Sequence, residues 1–385
     1  MPMNAAEPIK GFATPEGTRA YAESHAGDTA EGHFSDFLKT RILLSSIGAG
    51  TFPGEATPEV DATMALVVSG ALQGGINVID TAAHYRYGRS LAAVGTGVRD
   101  AVARGVAREA MFLASKGGFL TFRGGVPEDL DRWFEQEIVA AGLGTRNDLA
   151  KAHLLTPEYI RYQIELSRAL MGVATLDAFL VDQPEVHIPV IGKAALNTKL
   201  LGVFTELERA VMDGSIRYYG ISTFDGLRVE TDAQLFQSLT SMQGLAEKAA
   251  QAATGDAAAR HHFALVQMPF NQVMSEGFTR FNTATGQGNV ASPLQAAHQL
   301  GIYVMASHTL MKGHLARQSA EVVAQTLADL PNSAQRAIQF NRSTPGLGTT
   351  LVGMSSPAHL DDVLAVARRA PMDRKTYLAM FHKAE

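Results

Sequence analysis

The run Gly74-Gly-Ile-Asn-Val-Ile-Asp80-Thr-Ala-Ala-His-Tyr85-Arg-Tyr-Gly-Arg-Ser90 passes directly from a short apolar segment into an acid and a tyrosine. Val78 and Ile79 read as a buried strand, and Asp80 falls at its end. In a parallel α/β protein the strand ends are where chemistry is mounted, because loops vary there while strands hold positions. Asp80 and Tyr85 are therefore candidate site residues. The plainer reading is that Asp80 caps a turn and Tyr85 is half-buried packing. The rest of the chain decides between them.

Working outward, short β-like runs alternate with longer helical ones. Leu43 to Ala49 is expected as a first strand, followed by a loop through Gly50, Thr51 and Gly54 and a helix with Met64, Leu66, Val67 and Leu72 at helical spacing. Val78 to Thr81 is the second strand, Met111 to Ser115 the third, ending at Lys116, and Ala178 to Val181 the fourth, ending at Asp182. Arg217 to Ser222, Ala264 to Met268 with Gln267, Ile302 to Ala306, and Thr349 to Val352 running into Gly353 complete the set. Eight strands separated by helices call for a closed (β/α)8 TIM barrel. Two spacings, 117–156 and 224–263, exceed one helix and one loop. Both follow strand ends, so they read as enlarged loops at the C-terminal face that enclose substrate or extend the packing.

Composition narrows the function. The 385 residues carry 46% hydrophobic side chains and a net charge of -5, with no general pull toward nucleic acid or an anionic membrane. The absence of cysteine excludes disulfides, thiolate catalysis and cysteine metal sites. No apolar run has signal-peptide or membrane-spanning character, so the expected location is the cytoplasm. Residues 1–40 are expected to be an N-terminal extension and 41–385 a single barrel domain. No Gly-x-Gly-x-x-Gly follows the first strand, which disfavours a Rossmann domain.

Val78 to Tyr85, the Ser115-Lys116 strand end, Asp177 to Pro184, Ile216 to Phe224, Gln267, and Thr350 to Asp362 together resemble the aldo-keto reductase superfamily. The Asp-Thr-Ala-x-x-Tyr run from Asp80 and the Gly-Ile-Ser-x-Phe run from Gly220 are the most specific parts. The Lys116-Gly-Gly-Phe continuation and the two long spacings resemble its larger-bodied branch. The resemblance implies reduction of a carbonyl, or of a conjugated double bond, on a small molecule. It implies NADP(H) as cofactor, with NAD(H) as the alternative, and no metal.

The chemistry asks for the same residue types. Hydride delivery to a carbonyl leaves an alkoxide that must be protonated, and an unperturbed phenol with a pKa of about 10 is a sluggish acid near neutrality. A lysine beside the phenol eases the transfer, and an aspartate beside the lysine keeps it charged. Tyr85 is thereby assigned as proton donor, Lys116 as its polariser and Asp80 as the partner of Lys116.

The fourth catalytic position, a histidine in the family's pattern, falls on Asp182. An ionised carboxylate only accepts hydrogen bonds, whereas a protonated one donates. His84 and His308, each just past a strand end, are the alternative imidazole donors, while the adjacent His261 and His262 suit a solvated turn better than a metal site. By resemblance, cofactor contacts fall on Gly50, Thr51, Ser222, Thr223, Gln267, Ser307, Leu310, Lys312, Gly313, Gly353, Ser355 and Ser356. Departures from the pattern occur at three places: Thr223 replaces an asparagine, Ser307 an aromatic, and Ser355-Ser356-Pro357 lacks the basic residues that grip a 2'-phosphate. The rival reading is a reductase-like barrel without hydride transfer, acting as a lyase, an isomerase or a cofactor-sensing subunit.

Overall fold

The computed structural model describes residues 7–52, 54–285 and 288–382. Pro53 and the first six residues of the expected N-terminal extension lie outside this set. Eight parallel strands close into a barrel: Ile47–Gly50, Val78–Asp80, Phe112–Gly117, Leu176–Asp182, Ile216–Ser222, Phe263–Pro269, Tyr303–Ser307 and Thr349–Gly353. Pairing follows chain order, and the eighth strand meets the first to close the ring. A helix follows each strand, from Pro58–Gln73 after the first to Pro357–Ala367 after the eighth. Threonine, serine or asparagine caps start many of them: Thr57, Thr156, Ser292 and Ser356 each accept an amide hydrogen bond just before a proline at the first turn.

The period-two alternation of the strands explains why apolar runs end in polar residues. Val78, Ala114, Leu180, Leu265, Met305 and Leu351 form one buried cluster along the barrel axis. Their neighbours Ile79, Leu113, Val181, Val266, Val304 and Val352 belong to a second cluster beneath the helices. Two residues beyond each axial apolar side chain come Asp80, Lys116, Asp182, Gln267, Ser307 and Gly353, on the same side of their strands. The barrel interior therefore carries a polar ring at its C-terminal end.

The expected first strand is broken at Ser46. Leu43–Ser45 pairs antiparallel with Phe34–Asp36, and only Ile47–Gly50 belongs to the barrel. This hairpin closes the N-terminal end of the barrel. Phe37 is fully buried there, its ring 5.2, 5.0 and 5.1 Å from those of Phe112, Tyr218 and Tyr303. A buried Arg108–Asp177 ion pair at 2.7 Å ties the turn before strand three to strand four, and Asp177 also accepts the amide of Ala13 at 2.6 Å.

The two long spacings resolve differently. Residues 224–263 hold the ordinary barrel helix Leu239–Thr254 after a long loop, so this spacing is less exceptional than its length suggested. Residues 117–156 form a compact lobe with a short hairpin, Leu149–Ala150 with His153–Leu154, built on Leu120, Phe134, Ile138, Leu154 and Tyr159. Among the described residues, no helix is long and apolar enough to cross a membrane.

Candidate active site

At the C-terminal ends of the strands lies a cavity of about 620 Å3, within the usual range of roughly 300–1,000 Å3 for ligand pockets. Asp80, Tyr85 and Asp182 line it, whereas Lys116 is buried beneath. The Lys116 ammonium donates to Asp80 Oδ1 at 2.7 Å, to Asp80 Oδ2 at 2.6 Å and to the Thr81 carbonyl at 3.0 Å. Its Nζ stands 5.1 Å from the centroid of the Tyr85 ring. Burial opposes the charge on Lys116, but Asp80, Tyr85 and Asp182 outweigh it and hold its pKa above the ordinary lysine value. Burial raises the Tyr85 phenol above its ordinary value, and the Lys116 charge counters part of that rise.

The segment carrying Tyr85 is locally unusual. Arg86, Tyr87 and Gly88 are successively left-handed, with φ of 50°, 60° and 83°. Non-glycine residues rarely take this conformation, and each costs about 1–3 kcal/mol unless its surroundings hold it there. The buried Arg86 guanidinium supplies that hold: it donates to Ser90 Oγ at 3.1 Å and pairs with Asp61, while Ser90 Oγ donates to the Thr51 carbonyl at 2.8 Å. The Phe52 and His84 rings contact Tyr85 edge-on, at 5.0 and 4.8 Å between centroids.

Gln267 links the polar ring. Its Nε2 donates to Asp80 Oδ1 at 2.9 Å, and its Oε1 accepts from the Ser222 hydroxyl at 3.3 Å. The Thr223 hydroxyl donates to the buried Glu185 carboxylate at 2.7 Å and accepts the Gly226 amide at 2.9 Å, so it is already engaged. Thr51 is engaged as well, its hydroxyl donating to the Asp80 carbonyl at 3.0 Å. Gly50, Thr51, Ser222, Thr223, Gln267, Ser307, Leu310, Lys312, Gly313, Gly353 and Ser355 all line the cavity. Ser356 does not; its hydroxyl caps the last barrel helix by accepting the His359 amide at 3.3 Å.

Asp182 is 3% exposed, and burial pushes its carboxyl up to about 6 despite the nearby Lys116 charge and Ser222 hydroxyl. His84 Nε2 lies 3.9 Å from Asp182 Oδ2, beyond hydrogen-bond reach. Burial, then the Lys116 charge, lowers His84 to about 3, so its imidazole is neutral across the physiological range. His308 also lines the cavity, with φ of 56°.

The lobe at 117–156 contributes no residue to the cavity lining, so it buttresses the site and does not cover it. His153 supplies the buttress: its Nε2 donates to the Asp182 carbonyl at 2.6 Å, and its Nδ1 then accepts from His187 Nε2 at 2.9 Å. Sequence reasoning missed His153 because it sits in a short hairpin with no periodic signal. The trace it leaves is Gly118, where a Cβ would lie 2.0 Å from His153 Nε2. His262 pairs with the buried Glu208 at 2.7 Å, and no metal-holding cluster occurs among the described residues.

The Aldo/keto reductase family model matches residues 46–380. Among solved structures, an aldo-keto reductase from Bacillus halodurans in its holo form is similar at a TM-score of 0.62 and 14% identity, over 91% of this chain and 96% of that one. An aldo/keto reductase from Klebsiella pneumoniae in complex with NADP and acetate gives 0.57 and 16%, over 90% and 93%. At such identities the likeness speaks for the fold. No curated protein sequence matches the chain.

Proposed function

The chain belongs to the aldo/keto reductase family, and on that premise we propose that it reduces the carbonyl of a small organic molecule with hydride supplied by a bound nicotinamide cofactor. Tyr85 protonates the nascent alkoxide from the cavity wall. Lys116, charged and held by Asp80, lowers the cost of the phenolate that remains. Gln267 fixes Asp80 from the opposite side, so the polariser keeps one geometry through the reaction. The observation that carries this reading is the buried Lys116–Asp80 pair directly behind a tyrosine that opens on the cavity.

The residues present suit a phosphate-bearing cofactor. Lys312 lines the cavity and makes no ion pair among the described residues, and the capped start of the Pro357–Ala367 helix adjoins Ser355. A lysine and a helix N-terminus at one wall favour an anion. The Klebsiella pneumoniae neighbour is described in complex with NADP and with NADPH, which favours NADP(H) here. NAD(H) is the alternative, since 355–357 offers no basic side chain to a 2'-phosphate.

Fluorescence titration with NADPH and NADH, followed by reduction assays on a panel of aldehydes and ketones, tests the proposal. Tight cofactor binding with carbonyl-dependent NADPH oxidation supports it. Binding without oxidation of any panel member favours the rival non-redox barrel, for which the departures at Asp182, Thr223 and Ser307 are the motive.

A further inference from the structure

Three carboxylates sit close together at this end of the barrel, and two are fully provided with donors. Asp80 receives Lys116 twice and Gln267 once. Glu185 receives the Thr223 hydroxyl, the amides of Phe224 and Asp225, and Gln237 Nε2. Asp182 is different. Among the described residues no amide and no cation bonds its carboxylate; the one donor beside it is the Ser222 hydroxyl, which it shares with Gln267 Oε1 at 3.3 Å. The one basic side chain facing it on the cavity side, His84, is 3.9 Å away and neutral.

A buried carboxylate with only one shared hydroxyl as donor is costly, and it gains most from a ligand group that brings both N–H bonds and positive charge. The charges around it point the same way. Lys116 and Asp80 cancel, and Lys116 does not reach the cavity, so ionised Asp182 leaves a net negative charge at the wall beside Tyr85. A neutral hydroxyl would satisfy one lone pair and leave the charge in place.

We propose that the cavity selects carbonyl compounds bearing a protonated amine close to the carbonyl, the ammonium bonding to the Asp182 carboxylate while the carbonyl oxygen faces Tyr85. This rests on the reading of the cavity as a carbonyl-reducing site. The groups facing Asp182 are Lys116 and Ser222 from the neighbouring third and fifth strands, Asp80 from the end of the second, Tyr85 and His84 from the loop after it, and Glu185. Its carboxyl ionises at about 6, so the preference for an amine grows as pH rises through that value.

The test uses aminoacetone, hydroxyacetone and butanone, which differ only in whether an ammonium, a hydroxyl or a methyl group sits one carbon from the carbonyl. The expected order in kcat/KM is ammonium, hydroxyl, methyl, with about tenfold or more between the first and last at neutral pH, the worth of one charge-assisted hydrogen bond. The ratio should shrink at pH 5 and fall to within about twofold in Asp182→Asn. Equal rates, or a preference for either neutral ketone, overturn the proposal, as does an amine preference that survives Asp182→Asn. Calorimetric binding of the reduced counterparts, isopropanolamine, propylene glycol and sec-butanol, separates the two failures. Amine-selective binding without turnover of any ketone removes the reductase reading and leaves the recognition standing; no amine selectivity in binding removes the recognition itself.

Discussion

Lys116 donates to both carboxylate oxygens of Asp80, at 2.7 and 2.6 Å, in a position where both residues are buried. Taking both charges out of water is expensive, and the bidentate contact offsets that cost only while the pair is intact. Asp80→Asn should therefore destabilise the protein by about 3–5 kcal/mol, because it strands the buried ammonium. Asp80→Asn combined with Lys116→Met should be more stable than Asp80→Asn alone. Urea unfolding of the two variants checks this; equal midpoints would mean that Lys116 finds another partner.

Asp182 gives a pH signature in stability. Its carboxyl is raised from 3.8 to about 6, so the folded state favours the protonated form. The stabilisation from this group is full below the unfolded value and is lost as pH rises through about 6. A shift of that size is worth about 3 kcal/mol. The stability of the wild type relative to Asp182→Asn should fall by that order between about pH 3.5 and pH 7, read from denaturant titrations at each pH. A flat difference would show that Asp182 keeps an ordinary carboxylate pKa in the fold.

Gly118 makes room for the histidine that holds the Asp182 carbonyl. Its φ is +125°, and a Cβ there would lie 2.0 Å from His153 Nε2. Gly118→Ala should cost about 2–4 kcal/mol through backbone strain and overpacking together. It should also move the His153 ring signals in an NMR spectrum. A variant with wild-type stability would mean that the lobe at 117–156 is free to shift.

Cofactor selectivity should be modest. Lys312 is the lysine at the cavity wall, and 355–357 carries no basic residue. Dissociation constants for NADPH and NADH should differ by less than about a hundredfold, roughly 2.7 kcal/mol. A larger gap would require a basic residue elsewhere to meet the 2'-phosphate.

How far the sequence could be read follows from these residues. Strand ends were legible because an apolar run stopped at a polar residue, and the same alternation that buries Val78 and Leu180 sends Asp80 and Asp182 to the cavity end of the axis. The break at Ser46 was not legible: Leu43 to Ala49 is apolar on both sides of it, and only the antiparallel pairing with Phe34–Asp36 divides the run. The closing of the barrel floor by Phe37 was hidden in a segment that reads as polar. His153 and His187 carried no local pattern, since their bond joins a loop hairpin to the turn after the fourth strand, 34 residues apart. The engagement of Thr223 was equally invisible, because it depends on Glu185 from another loop.

The central claim is that Tyr85 delivers the proton. The measurement that tests it most directly is the steady-state rate of NADPH oxidation by Tyr85→Phe with a carbonyl that the wild type reduces, alongside the NADPH dissociation constant of the same variant. Loss of a positioned acid should lower kcat by about 10²–10⁴-fold. Cofactor affinity should stay within about twofold, a difference of some 0.4 kcal/mol. A variant that binds NADPH normally and reduces the carbonyl at near wild-type rate would contradict the account.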